Sequence, residues 1–104
     1  MKKAEQKTID RMVMDKYSLY HDNERFVGCR VGRRLRSCTA WVIKGDYGYY
    51  LRSYDTIIAV IPYDELVCYD FLRYVYGYTS TSTHHISKFA RDYGNGTVLS
   101  WKGV

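Results

Sequence analysis

Proline, cysteine and long apolar runs are scarce in this chain, and each scarcity argues against a class of protein. Pro62 is the only proline among 104 residues, so the composition is not that of a linker or a disordered tail. The three cysteines, Cys29, Cys38 and Cys68, are odd in number and form no Cys-x-x-Cys pair. This pattern argues against a disulfide-bonded secreted mini-protein and favours buried free thiols.

Segments that direct a chain to a membrane are also missing from the sequence. No run approaches the roughly 20 apolar residues of a membrane span. Residues 1–16 are charged throughout and lack the apolar core of a signal peptide. We therefore expect a cytoplasmic protein that does not associate with membranes.

The spacings that carry catalytic or metal chemistry are absent as well. His84 and His85 are adjacent, so on a helix they project about 100° apart and cannot ligate one metal ion as an i, i+4 pair can. Asp and Glu are not clustered as a two-metal nuclease needs, and no glycine-rich phosphate loop follows a strand. We expect no catalytic residue, no metal and no cofactor. A metal-independent nuclease that uses His84 or His85 with a tyrosine or lysine stays open as an alternative.

The length and the apolar content indicate one folded domain over residues 1–104. Hydrophobic residues make up 46% of the chain, which is enough for a single core. Residues 1–37 are predicted to contain an N-terminal helix and a basic arginine segment, and residues 38–104 a core of sheet and helix. The predicted class is α+β, with a small antiparallel sheet of about four to five strands and one or two packed helices.

The first half of the chain contains a helix pattern and a hairpin pattern. Ile9, Met12 and Val13 recur at helical spacing, which predicts a helix over residues 3–17. Residues 26–31 predict a strand. The runs CTAWVIK and YGYYLRSY flank the turn sequence GDYG and predict a β-hairpin.

The second half adds further strands and a second helix. TIIAVIP is a continuous apolar run that ends at Pro62, as in a strand buried on both faces. ELVCYDFLRYVYGY predicts another strand, or a turn of helix over residues 70–76, and TVLSW a last edge strand. The hydroxyls of residues 79–82 are suited to cap a helix start, and Gly94 to end that helix in a left-handed conformation. The apolar stripe between them consists of Ile86, Phe89, Ala90 and Tyr93.

Positive charge is concentrated in one short segment. Residues 24–44 carry six basic residues against one acidic residue, so their charge of +5 equals the formal net charge of the whole chain. The six are Arg25, Arg30, Arg33, Arg34, Arg36 and Lys44. Residues 32–37 are predicted to form a basic loop. Arginine forks fit phosphate oxygens, so the segment is the predicted site for an RNA or DNA backbone; the alternative is a solvated turn.

Tyrosine is the second candidate for recognition, because 12 tyrosines are many for such a chain. The residues expected on an exposed face of the sheet are Tyr47, Tyr49, Tyr50 and Tyr54. Exposed rings stack on bases or fill the pockets of a protein partner. The alternative is that most tyrosines complete a small core.

Two short motifs resemble a known family. The strand motif Leu-x-Ser-Tyr-x-Thr fits Leu51, Ser53, Tyr54 and Thr56. The helix-start motif Thr-Thr-x-x-His-Ile-x-x-Phe fits Thr81, His85, Ile86 and Phe89, with Ser82 in place of one threonine. Over Cys38 to Gly94 the chain thus resembles a small family of uncharacterised proteins carried by phages and mobile elements of Gram-positive bacteria. We expect structural roles for Ser53, Tyr54, Thr56, Thr81, His85 and Phe89.

The resemblance implies a phage or prophage origin, and small proteins of that setting often inhibit host defence nucleases, including CRISPR effectors. Together with the local positive charge it predicts a non-enzymatic inhibitor of a host nucleoprotein defence system. The expected partner is a host defence protein or protein–RNA complex, with RNA or DNA contacted directly through the arginine segment. A general nucleic-acid-binding or regulatory module is the alternative.

Overall fold

A computed structural model describes residues 3–20, 33–34, 40–53, 56–77 and 82–103, and the fold is given for these residues. They form three helices and six strands. In chain order these are α1 (Lys3–Tyr20), β1 (Arg33–Arg34), β2 (Ala40–Lys44), β3 (Gly48–Ser53), β4 (Thr56–Pro62), β5 (Cys68–Asp70), α2 (Leu72–Tyr76), α3 (Ser82–Tyr93) and β6 (Val98–Ser100).

The six strands form one sheet in which spatial order follows chain order from β1 to β6. Neighbouring strands are antiparallel except β5 and β6, which are parallel. The α+β class is confirmed, but the sheet is mixed rather than purely antiparallel. The reason is that α2 and α3 together form a crossover between β5 and β6, as parallel neighbours require.

The sheet is covered by a helix on each face. The α3 side is an aliphatic core in which Leu51 and Ile61 pack near Phe89 of the helix. On the α1 side, Tyr50 and Val60 belong to a second cluster with Val13 of α1. Successive side chains of a strand point to opposite faces, so each strand supplies both cores.

A β-bulge in β4 modifies this alternation. Leu51 pairs with Ala59 and Arg52 with Ile57, so Ile58 is an extra residue in the β3–β4 ladder. Ile58 and Ala59 are both fully buried in the α3-side core, although they are consecutive. The bulge therefore lets two adjacent residues of β4 serve one core.

Several predicted elements are confirmed, and one is corrected. The N-terminal helix, the hairpin, the buried strand over TIIAVIP and the edge strand β6 are all present. Part of the predicted basic loop is instead strand β1, because Arg33 and Arg34 pair with Val42 and Trp41 of β2. The strand predicted over 26–31 lies outside the described residues.

The run ELVCYDFLRYVYGY divides into a strand and a helix. Strand β5 ends at Asp70, whose Oδ1 accepts a hydrogen bond of 2.8 Å from the backbone N–H of Leu72. This bond between a carboxylate and a backbone N–H two residues later forms a turn and leads into α2. The helix ends at Gly77 with φ of 77°, a left-handed conformation that glycine adopts readily.

Gly94 follows α3 as predicted, but not in a left-handed conformation. The left-handed residue is Gly96, with φ of 86°. Gly94 is needed for a close approach instead, since a Cβ atom there would lie 2.5 Å from the carbonyl oxygen of Leu66. The backbone N–H groups of Gly94 and Gly96 both donate to the carbonyl of Ala90.

None of the helices that the structure describes is both long enough and apolar enough to cross a membrane.

Candidate functional site: a tyrosine-lined groove between two turns

The predicted basic site is described only in part. Arg33 and Arg34 form β1, the first strand of the sheet order, and Lys44 is exposed at the end of β2. Arg25, Arg30 and Arg36 lie outside the described residues. The structure therefore places two arginines on the first strand of the described sheet, and the neighbouring strand ends in an exposed lysine.

The described members of the predicted tyrosine face, Tyr47, Tyr49 and Tyr50, do not share one exposed surface. Tyr50 is 3% exposed and packs edge-on against Tyr20 of α1, so it cannot contact a partner. Tyr49 is half-buried on the α3 side, with its ring centroid 5.0 Å from that of Tyr63. Tyr47, which lies in the β2–β3 turn, is 73% exposed. The prediction of an exposed ring is wrong for Tyr50, because both faces of β3 are covered by helices.

The family-motif residues that the structure describes lie in or beside the core. Ser53 is fully buried and its carbonyl accepts a hydrogen bond from the Tyr76 hydroxyl at 2.8 Å. Thr56 and His85 are half-buried, and Phe89 is fully buried in the α3-side core. The other two motif residues, Tyr54 and Thr81, lie outside the described part of the chain.

Tyr47 lies at the rim of a groove formed by the C-terminal end of α1 and two turns. We call it the turn groove; its lining residues are Tyr20, Asp46, Tyr47, Tyr63 and Asp64. Its volume is about 270 Å³. The β2–β3 turn supplies Asp46 and Tyr47, and the β4–β5 turn supplies Tyr63 and Asp64.

Hydrogen bonds join the two turns and fix the groove. The backbone N–H of Tyr63 donates to the carbonyl of Tyr47 at 3.1 Å, and the Tyr63 hydroxyl donates to the carbonyl of Gly45 at 2.6 Å. Gly48 permits this approach, since a Cβ atom there would lie 2.6 Å from the carbonyl oxygen of Ile61. One backbone hydrogen bond and one bond from a side chain therefore hold the two turns together.

An ion pair joins α1 to the β4–β5 turn beside the groove. The ammonium of Lys16 and the hydroxyl of Tyr69 both donate to the carboxylate of Glu65. The Lys16 nitrogen also lies 5.2 Å from the centre of the Tyr69 ring. Burial acts to raise the pKa of Glu65, but the hydrogen bonds from Lys16 and Tyr69 outweigh it and lower that pKa.

Burial and nearby charged groups raise the pKa of two of the groove tyrosines, Tyr20 and Tyr63. Burial raises the pKa of Tyr20; Lys16 partly offsets the rise, and Asp64 and Glu65 add to it. Burial also raises the pKa of Tyr63, with smaller contributions from Tyr49 and Asp46. The carboxylates that line the groove, those of Asp46 and Asp64, are exposed.

Leu66, in the β4–β5 turn, has a strained backbone. Its φ is 62°, a left-handed conformation that costs a residue with a side chain roughly 1–2 kcal/mol. The N–H of Leu66 donates to the carbonyl of Pro62, and its own carbonyl accepts from Asn95, both at 2.9 Å. Strain of this kind often accompanies functional sites.

Sequence reasoning missed four of the five groove residues. Each of the two turns carries an adjacent aspartate and tyrosine, Asp46–Tyr47 and Tyr63–Asp64. This repeated pair of aspartate and tyrosine was the sequence signal that could have indicated the groove residues. Sequence alone did not show that the turns meet, because their contact depends on the long-range pairing of Gly48 with Pro62.

The chemistry that the groove offers is recognition of a cation. Aromatic faces attract positive charge, and carboxylates add charge complementarity. Among the residues that the structure describes, no three His, Cys, Asp or Glu side chains lie together as a metal site requires.

Comparison of the chain with protein-family models, with curated proteins and with solved structures finds no match in any of the three.

Proposed function

We propose that this chain is a non-enzymatic binding protein that inhibits a host nucleoprotein defence complex. The observation that carries the proposal is the Tyr47 ring, 73% exposed at the rim of a groove fixed by backbone hydrogen bonds. Exposed aromatic residues in concave, preorganised surroundings are frequent anchors of protein interfaces. Tyr47 was also among the residues predicted to contact a partner.

The basic segment supports a target that contains nucleic acid. Strand β1 consists of Arg33 and Arg34, and Lys44 is exposed at the end of the neighbouring strand. Clustered arginine and lysine side chains bind phosphate backbones largely without regard to base sequence. A nucleoprotein complex presents both phosphates and the basic side chains that hold them, so it suits a chain with a basic segment and an acidic groove.

The setting is supported by the resemblance of the strand and helix motifs to phage and mobile-element proteins. In this proposal the protein acts in the cytoplasm of a bacterial host and blocks a defence complex that is directed against the invading element. Inhibition requires binding alone, so it needs no catalytic group.

The second candidate is a general nucleic-acid-binding module, which is favoured by the arginines of β1 and the exposed Lys44 alone. It predicts affinity for RNA and DNA that falls steeply with salt and that does not change in a Tyr47→Ala variant. The proposed inhibitor differs in requiring Tyr47.

The test is an interference assay in a Gram-positive host that carries an RNA-guided defence system. The host is challenged with a targeted phage while it expresses the wild-type chain, a Tyr47→Ala variant or no protein. We expect the wild type to restore phage growth and the Tyr47→Ala variant to lose most of that effect. Met12→Ala is the control, because Met12 is exposed on α1 about 12 Å along the helix from Tyr20. Interference that is unchanged by the wild type contradicts the proposal for that system.

A further inference from the structure

We propose that the turn groove binds an arginine side chain from a basic peptide segment of the partner protein. The inference rests on the proposed function, because it names the chemical class that the groove recognises in the partner. It assigns the groove to protein and leaves the phosphate backbone to the arginine segment.

The size of the groove suits a side chain. Its volume of about 270 Å³ lies below the roughly 300–1,000 Å³ of pockets that hold drug-sized ligands. Tyr20, Tyr47 and Tyr63 line it with aromatic surface, which suits the flat guanidinium group and the apolar stem of arginine.

The charge of the groove selects a cation. Of its lining residues that the structure describes, two are charged, and both carry a carboxylate, Asp46 and Asp64. This lining is acidic in a chain whose formal net charge is +5. Lys16 pairs with Glu65 beside the groove, and the lining carboxylates belong to Asp46 and Asp64.

Arginine fits this arrangement better than lysine or a nucleic acid. A guanidinium stacks flat on an aromatic ring and can donate to a carboxylate at the same time, whereas an ammonium is a compact and strongly hydrated charge. A nucleic acid brings phosphates, which the carboxylates of Asp46 and Asp64 repel. An arginine in a peptide is therefore the occupant that satisfies both the rings and the charge.

The groove is preorganised for such a ligand. The Tyr63 ring is fixed by the hydrogen bond of its hydroxyl to the carbonyl of Gly45 and by edge-on packing against Tyr49. Tyr20 is fixed by its contact with Tyr50. Walls that are already ordered lose little conformational entropy when a ligand binds.

The experiment is a titration of the ¹⁵N-labelled full chain with a short glycine-flanked peptide that contains two arginines, followed by amide chemical shifts. The matched probe has citrulline in place of arginine, which keeps the shape and removes the charge. We expect the arginine peptide to shift the amides of Gly45, Asp46, Tyr47 and Asp64, and the citrulline peptide to leave them unchanged.

Variants identify the groups that bind. Tyr47→Ala and the pair Asp46→Asn with Asp64→Asn are each expected to weaken binding at least about fivefold, which corresponds to about 1 kcal/mol. The charge-matched control is Glu5→Gln with Asp15→Asn, since both residues are exposed on α1 and do not line the groove. It is expected to change the affinity less than about twofold.

Four outcomes overturn the inference: no binding of the arginine peptide, equal binding of the citrulline peptide, shifts that map outside the groove, or equal loss in the charge-matched control. Single-stranded RNA is titrated in parallel, and chemical-shift changes in the groove that are larger with RNA than with the arginine peptide also overturn it.

The interference assay distinguishes a failure of this inference from a failure of the proposed function. Tyr47-dependent inhibition without arginine binding refutes only the ligand class, whereas arginine binding without inhibition refutes only the proposed function.

Discussion

The two faces of the sheet differ in chemistry. The α3 face is aliphatic except for Phe89 and a rim of tyrosines, and its central residues are fully buried. The α1 face is built around aromatic side chains, among them Tyr50, Tyr69 and Phe71. One face thus supplies an apolar core alone, while the other combines a core with groups that form polar contacts at its ends.

Polar groups lie at both ends of the α1 face. At one end the Tyr69 hydroxyl donates to Glu65, beside the turn groove. At the other end the Gln6 side chain donates to Asp10 at 2.7 Å and to the carbonyl of Ser100 at 3.0 Å. Buried tyrosine hydroxyls and amides need hydrogen-bond partners, so polar networks accompany an aromatic core. The groove is the end at which such a network opens to solvent.

The largest stability effect is expected on the α3 face. Phe89→Ala removes a fully buried ring from the centre of that core and leaves a cavity. We expect the free energy of unfolding to fall by about 3–5 kcal/mol, measured by urea denaturation. A loss below about 1 kcal/mol contradicts the assignment of Phe89 to a close-packed core.

A smaller effect is expected where α3 meets the β4–β5 turn. The added methyl group of Gly94→Ala would approach the carbonyl oxygen of Leu66 to 2.5 Å, so either the turn or the end of α3 must move. We expect a loss of about 1–3 kcal/mol in the free energy of unfolding. Gly77→Ala is the comparison, because Gly77 has a positive φ but no atom near the added methyl. If Gly94→Ala proves neutral, the close approach is absent in solution.

The free energy of unfolding is expected to depend on pH through two carboxyl groups whose pKa values shift in opposite directions. The pKa of Asp70 is raised and that of Glu65 is lowered. Burial raises the pKa of Asp70 above its ordinary value of 3.8, although hydrogen bonds from Leu72 and Ser100 oppose the rise. The folded state then holds the Asp70 proton more tightly than the unfolded state. Its contribution to stability is present at low pH and is lost as pH rises from 3.8 through the raised pKa.

Asp70→Asn removes this dependence while an amide can still accept from Leu72 and donate to Ser100. The stability of the variant relative to the wild type should therefore increase with pH through this window, as measured by urea denaturation at a series of pH values. Glu65→Gln should show the opposite trend, because the lowered pKa of Glu65 stabilises the fold above about pH 4.5 and loses that effect on acidification. If the stability difference from the wild type changes with pH in the same direction for both variants, the opposite pKa shifts of Asp70 and Glu65 are refuted.

The smallest stability effect is expected at the turn groove. Tyr47→Ala removes an exposed ring, so the free energy of unfolding should change by no more than about 0.5 kcal/mol. Urea denaturation beside Met12→Ala provides the check. A larger loss of unfolding free energy for Tyr47→Ala than for Met12→Ala would mean that Tyr47 stabilises the fold. The groove would then be a structural part of the molecule, like the α3 face, and not a separate recognition site.

Much of the fold could be predicted because its signals are local. The GDYG turn, the apolar run of β4 and the stripe of Ile86, Phe89 and Ala90 each reveal an element within a few residues. The parallel pairing of β6 with β5 could not be predicted from the sequence, because it depends on how α2 and α3 return the chain to β5.

The groove escaped prediction for a related reason. The two-residue period of β3 shows that Tyr49 and Tyr50 point to opposite faces, but it does not show that a helix covers each face. Of the predicted tyrosines that the structure describes, Tyr47, in a turn, is the exposed one. Tyr20 and Tyr63 reach the same groove from α1 and from the end of β4, far apart in sequence.

The most direct test of the claim that the turn groove binds a partner is co-purification from a host that carries a defence complex. Tagged wild type, Tyr47→Ala and Met12→Ala are recovered with and without nuclease treatment, and the bound components of the defence complex are quantified. We expect the wild type and Met12→Ala to retain the complex after nuclease treatment and Tyr47→Ala to lose it. Equal recovery with Tyr47→Ala would show that the turn groove does not bind the partner.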